Sequence, residues 1–156
     1  MSCMKSTPEQ QTGAQVTEQA PVTFQDGKPA TSRVERPWGW FESLASGAGY
    51  QVKRLHMLPQ RRISLQWHRH RDELWVVARG TARVTIGEKS FTLGRGQSVA
   101  VARTVHHRIQ NISTVEPLEI VEVQTGDYLG EDDIVRIEDD FGRADRTSAG
   151  TAAPRS

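Results

Sequence analysis

Gln66, His68 and Glu73 stand close together in the chain, and His107 follows 34 residues after Glu73. Imidazole nitrogens with carboxylate or amide oxygens are donors suited to zinc, manganese, iron, cobalt or nickel. The local spacing is Gln60, five residues, Gln66-Trp67-His68, four residues, Glu73, six residues, Gly80. An extended strand sends alternate side chains to one face, so Gln66 and His68 share a side and Trp67 faces away. Three ligands from one hairpin and a fourth from a distant strand suit a divalent ion inside a small β-barrel. The amide ligand is neutral, so the four groups carry a charge of −1 before any ion arrives. A cation held there keeps Lewis acidity for a substrate oxygen. A solvated loop is the competing reading of His68-Arg69-His70-Arg71-Asp72-Glu73, and the second imidazole at His107 weighs against it.

Other residues could serve the same site. His70 shares strand parity with Gln66 and His68, which makes it a rival ligand or a proton carrier at the pocket mouth. His106 alternates away from His107, and His56 reads as an ordinary surface or satisfied histidine. Lys53 shares parity with Leu55 and Met57, so it either snorkels to solvent or points into a pocket. Glu122 and Gln124 share parity with Leu118 and Ile120. Glu122 reads as a base, a support for a ligand, or an arginine's partner. Arg136 could hold an anion, with Arg143 as a second candidate, or could pair with Asp132, Asp133, Glu138 or Asp139. The acidic runs Glu131-Asp132-Asp133 and Glu138-Asp139-Asp140 lack the spacing and central glycine of a calcium loop and read as solvated. Trp38, Trp40, Trp67 and Trp75 read as core or interface packing.

The elements that must position these groups are strands. Candidates run over Tyr50–Leu58, Arg61–His70, Glu73–Arg79, Thr81–Ile86, Lys89–Leu93, Ser98–Val101, His107–Ile112 and Leu118–Gln124, broken by Gly80, Gly87, Gly94 and Gly96. Eight short strands at this spacing predict an all-β sandwich or barrel. Residues 132–140 hold a short helical turn or an extended arm. Residues 1–32 and 144–156, rich in small and polar residues, read as disordered ends around a single domain at 33–143. The 156 residues suit one modest core. Twenty Lys and Arg against 19 Asp and Glu leave a net charge of +1, with no general pull toward nucleic acid or membrane. A single cysteine, Cys3, excludes an intrachain disulfide and a multi-cysteine zinc site. The polar N-terminus and the lack of a long apolar run predict a cytoplasmic protein.

These motifs resemble those of the cupin superfamily. Its first motif runs Gly, five residues, His-x-His, three or four residues, Glu, six residues, Gly; here Gln60 and Gln66 replace the leading Gly and first His. Its second motif places His107 at the ligand position and Asn111 at its end, with Ala102 and Thr104 where Pro and Gly are usual. More narrowly, Arg36-Pro37-Trp38-Gly39, Tyr50-Gln51-Val52-Lys53, Ser64-Leu65-Gln66-Trp67-His68-Arg69-His70-Arg71, Glu131-Asp132-Asp133-Ile134-Val135-Arg136 and Phe141-Gly142-Arg143 are similar to the C-terminal cupin of type II phosphomannose isomerases. The resemblance implies a double-stranded β-helix, or jelly-roll barrel. It implies a divalent metal, zinc first with Mn, Co, Ni or Fe as alternatives, on Gln66, His68, Glu73 and His107. It implies interconversion of mannose 6-phosphate and fructose 6-phosphate, with Glu122 or His70 as base and Lys53 and Arg136 holding a phosphorylated hexose. A homodimer is expected, with Trp38, Trp40 and Phe41 in a segment outside the barrel. A non-catalytic sugar-binding cupin and a different metal-dependent cupin enzyme are the alternatives.

Overall fold

Strands with alternating burial dominate the chain. In the computed structural model, which describes residues 33–143, Leu118–Gly126 alternates strictly, with Leu118, Ile120, Glu122 and Gln124 buried and the residues between them half-buried. The eleven described strands are β1 (Val34–Arg36), β2 (Gly39–Gly47), β3 (Tyr50–Met57), β4 (Leu65–His68), β5 (Arg71–Arg79), β6 (Thr81–Ile86), β7 (Lys89–Gly94), β8 (Ser98–Val101), β9 (His107–Asn111), β10 (Leu118–Gly126) and β11 (Ile134–Glu138). They pair antiparallel into a six-stranded sheet ordered β1-β2-β3-β10-β5-β8 and a five-stranded sheet ordered β11-β4-β9-β6-β7. A 3-10 turn at Glu131–Asp133 precedes β11. No helix among the described residues is long and apolar enough to cross a membrane.

Register sorts the interior into an apolar end and a polar end. On the larger sheet Leu118 opposes Met57, and Ile120 opposes Leu55 and Val77. Further along, Glu122 opposes Lys53 and Trp75, and Gln124 opposes Glu73. The apolar rows join Ala82, Val84, Leu93 and Ile109 of the smaller sheet in one core, where Met57, Ala82, Ile109 and Leu118 have no exposed surface. Burying such side chains contributes about 1.5–3 kcal/mol each, enough to carry a polar pocket at the opposite end.

Several expectations change. The predicted strand Arg61–His70 is ordered only over Leu65–His68, with an isolated bridge from Arg62 to Gln110 before it. The segment expected outside the barrel forms β1 and β2 and extends the larger sheet. Trp38 and Phe41 bury in this chain's own core, and Trp40 stacks on His56 at 4.8 Å. Gly39 makes that addition possible: its φ is +146°, and a Cβ there would lie 2.0 Å from the His56 carbonyl oxygen. The acidic runs are solvated at Glu131, Asp132, Glu138 and Asp140, which are exposed, but not at Asp133 and Asp139. Asp133 is buried and accepts the Arg69 and His70 backbone N–H groups at 3.1 Å, while Asp139 accepts from the Arg143 guanidinium. Gln60 and Thr104, at positions where the resemblance expects glycine, adopt φ of +58° and +66°. The expectations for residues 1–32 and 144–156, Cys3 included, fall outside the described residues.

Candidate metal centre

The two sheets bring three side chains together at the polar end. β4 supplies His68, β5 supplies Glu73 and β9 supplies His107, all at most 3 % exposed. Their donor atoms lie within 4.8 Å of one another. His68 Nε2 is 3.0 Å from Glu73 Oε1 and 3.1 Å from His107 Nε2, and His107 Nε2 is 3.6 Å from Glu73 Oε2.

The outer nitrogens of the two rings explain this convergence. His107 Nδ1 lies 2.8 Å from the Val105 carbonyl, and His68 Nδ1 lies 3.4 Å from the Asp133 carbonyl. A carbonyl only accepts, so each Nδ1 is placed to carry the hydrogen, and each Nε2 then presents a lone pair. Two lone pairs and a carboxylate facing one another suit a cation between them. Backbone carbonyls behind ligating imidazoles are the usual means of orienting them. Burial pushes the His107 imidazole down to about 4, so it is neutral at pH 7. Burial alone would raise the Glu73 carboxyl. Its contacts with His68, His107 and the Arg71 guanidinium outweigh that and hold it well below the ordinary carboxylate range. The donor set therefore fits a divalent ion.

Gln66 is buried on β4 and is the cross-strand partner of His107. Its Oε1 accepts the Ser64 hydroxyl at 2.6 Å, which leaves that oxygen a second lone pair. It lines a cavity shared with Lys53, Arg71, Glu122, Gln124 and Arg136. Glu122 is buried, and burial together with the nearby Glu73 charge pushes its carboxyl up to about 8. The Trp75 indole N–H lies between the two acids, 3.1 Å from Glu73 Oε2 and 3.2 Å from Glu122 Oε1. Gln124 Nε2 reaches Glu122 Oε2 at 3.2 Å and Glu73 Oε1 at 3.4 Å. Two carboxylates pin that amide nitrogen, so the Gln124 oxygen must point away from them, and it is buried without a protein partner.

His70 is not in this cavity. Parity placed it beside His68, but β4 ends at His68, and the Asp133 carboxylate turns the chain by capping the next two N–H groups. His70 is instead exposed in a separate groove with Arg69, Tyr128 and Asp132, 3.8 Å from Asp127. Lys53 lines the cavity with 4 % exposure and pairs with Glu131. Arg136 and Arg143 also line it, the Arg143 guanidinium being held by Asp139. His106 is exposed, and His56 pairs with Glu119. The sequence reading passed over Arg71, which is buried and donates to Glu73 Oε1 and the Gly130 carbonyl, both at 3.0 Å. Its parity with Glu73 and Trp75 was the available signal. Glu131 and Asp133 were missed too, because their partners lie more than 60 residues away.

A family model described as the mannose-6-phosphate isomerase C-terminal domain matches residues 25–139. The xanthan biosynthesis protein XanB of Xanthomonas campestris is 50 % identical over 111 residues, covering 71 % of this chain and 24 % of XanB. The alginate biosynthesis protein AlgA of Pseudomonas aeruginosa is 49 % identical over 110 residues, 70 % of this chain and 23 % of AlgA. The chain thus spans about a quarter of the length of these curated relatives. Among solved structures, the Schizosaccharomyces pombe Cnp3 cupin domain superposes with a TM-score of 0.55 at 16 % identity, over 64 % of this chain and 71 % of that one, a likeness of fold alone. A two-sheet jelly roll, a His-Glu-His cluster at its polar end and a match over most of the domain lead to one assignment: the chain belongs to the mannose-6-phosphate isomerase C-terminal family of cupins.

Proposed function

We propose that the chain is a metal-dependent aldose–ketose isomerase domain that interconverts mannose 6-phosphate and fructose 6-phosphate. Its relatives' names tie them to xanthan and alginate synthesis, so we place the reaction in the supply of hexose phosphate for polysaccharide. The observation that carries the reading is Glu122, a buried carboxyl raised to about 8, in the same cavity as Gln66, Lys53 and Arg136 and bridged by Trp75 to the ligand Glu73. A divalent ion on His68, Glu73, His107 and Gln66 would supply Lewis acidity toward the sugar's oxygens.

Isomerisation moves a proton between adjacent carbons, and a group that gains and loses a proton near neutral pH suits that task. Trp75 and Gln124 each give one oxygen of Glu122 a donor and so fix the plane of the carboxyl. The unpartnered Gln124 oxygen is an acceptor for a sugar hydroxyl. Lys53 and Arg136 place positive charge for the phosphate, where charge-assisted bonds favour a dianion over a neutral sugar. With His70 outside the cavity, the base role falls to Glu122.

The test is interconversion of the two sugar phosphates by protein stripped of metal and reloaded with single divalent ions. Glu122→Gln should lower kcat by about 10²–10⁴-fold while metal content and mannose 6-phosphate affinity hold. Tight, phosphate-dependent sugar binding with no turnover under any metal would make the domain a binding module instead.

A further inference from the structure

Lys53 is the exceptional residue of the barrel wall. Its companions on the inward face of β3 are Leu55 and Met57, and its ammonium lies 4.8 Å from the centre of the Phe41 ring. A buried ammonium needs counter-charge. Glu122 is its neighbour in register on β10, yet the acid that contacts it comes from elsewhere. Glu131, 78 residues away on the rim turn between β10 and β11, pairs with Lys53 through Oε1. Its other oxygen, Oε2, lies 3.8 Å from the Arg36 guanidinium.

One carboxylate thus spans two cations from different strands, and all three residues line the cavity that Gln66, Glu122 and Gln124 also line. The lysine side chain is 5 % exposed, while the glutamate side chain is 45 % exposed and sits on a three-residue turn. The cation is built into the wall and the anion is held at the rim. An oxyanion on a lysine–arginine pair has this arrangement, and a phosphate ester offers the same oxygens with more charge.

We propose that Lys53 and Arg36 form the anion subsite of the cavity, and that Glu131 occupies it as an internal carboxylate which an incoming phosphate ester displaces. The proposal rests on the phosphosugar reading above. It goes beyond it by assigning Arg36 and Glu131 and by making phosphate entry an exchange of anions. Binding is then weaker than the two cations alone would give, and removing the internal acid should strengthen it.

The experiment compares the full wild-type chain with Glu131→Gln, Arg36→Gln and Lys53→Met, using inorganic phosphate, mannose 6-phosphate and mannose in calorimetry and thermal melts. Glu131→Gln should melt lower than wild type in phosphate-free buffer, bind inorganic phosphate and mannose 6-phosphate about tenfold tighter or better, and gain more in melting temperature from phosphate. Arg36→Gln should weaken both phosphate ligands several-fold, and Lys53→Met should abolish the phosphate-dependent gain. Phosphate binding by Glu131→Gln no tighter than by wild type overturns the exchange. If that variant does not fold, Glu131→Asp, with the charge kept and the reach shortened, should show a smaller gain, and no gain overturns the proposal equally. Equal wild-type affinity for mannose and mannose 6-phosphate removes the phosphosugar reading. Tighter inorganic phosphate binding by Glu131→Gln would even then support the anion subsite, so the two failures are separable.

Discussion

At the residue scale, the candidate metal centre rests on lone pairs aimed at one point. Replacing His107 with Ala removes one donor and frees the Val105 carbonyl it contacts. Metal content, measured by elemental analysis, should fall sharply in His107→Ala and His68→Ala. The melting temperature should lose its dependence on added ion, because an ion bound at 100 times its Kd stabilises the folded state by about 2.7 kcal/mol. Unchanged metal in both variants refutes the assignment. Thr104 is a second test at this scale. A β-branched residue at φ +66° carries about 1–2 kcal/mol of strain, while its N–H is held 2.7 Å from the His68 carbonyl. Thr104→Gly relieves that strain and gives back about 0.5–1 kcal/mol in chain entropy. It should therefore raise stability in denaturant melts by up to about 1 kcal/mol; a loss of stability would show that the threonine side chain contributes more than its backbone costs. That His68, Glu73 and His107 come together was legible from the two motifs' spacing. The positive φ at Gln60 and Thr104 was signalled only by their standing where the resemblance has glycine, because neither residue type advertises it.

At the scale of elements, two short connections organise the barrel ends. Asn111, at the end of β9, donates to the Met57, Leu58 and Glu116 carbonyls at 2.9–3.2 Å and accepts the Ser113 N–H at 3.0 Å. It ties the end of β3 to the loop before β10, close to the apolar core. Asn111→Ala removes this donor from three carbonyls, of which that of Leu58 keeps the Arg61 N–H, and should cost about 1–3 kcal/mol, read as a lower denaturant midpoint with little change in metal content. If metal is lost in step with stability, the two ends of the barrel are coupled more strongly than these contacts imply. The other connection, residues 130–133, reaches the metal centre from outside. Gly130 accepts from Arg71, which holds Glu73; the Asp133 carbonyl faces His68; and Glu131 holds Lys53. A rim segment touching His68 directly, Glu73 through Arg71, and the proposed anion subsite is well placed to register an occupied cavity.

At the scale of the whole molecule, the expected homodimer loses its original interface, since Trp38 and Phe41 pack inside their own chain. The outer face of the larger sheet remains, with Val52, Val121, Val123, Leu74 and Val76 in adjoining rows and Leu74 40 % exposed. We predict pairing of two copies through this face, with light scattering giving twice the 17.4 kDa chain mass and Leu74→Arg giving one. A monomer mass at all concentrations overturns the dimer. Strand alternation, a period-two pattern set by backbone geometry alone, already assigned Leu55, Met57, Ile120 and Glu122 to one side of their strands and paired Gln66 with His68. The ligand types and their spacing already pointed to a barrel with a metal. Long-range register decided the rest. It joined Glu131 to Lys53 across 78 residues, put Trp75 between two acids, and added β1 and β2 to the sheet. At the end of β4 it also sent His70 outward. None of those follows from local pattern, because each depends on which distant backbone lies alongside, and that is settled only when the whole core packs.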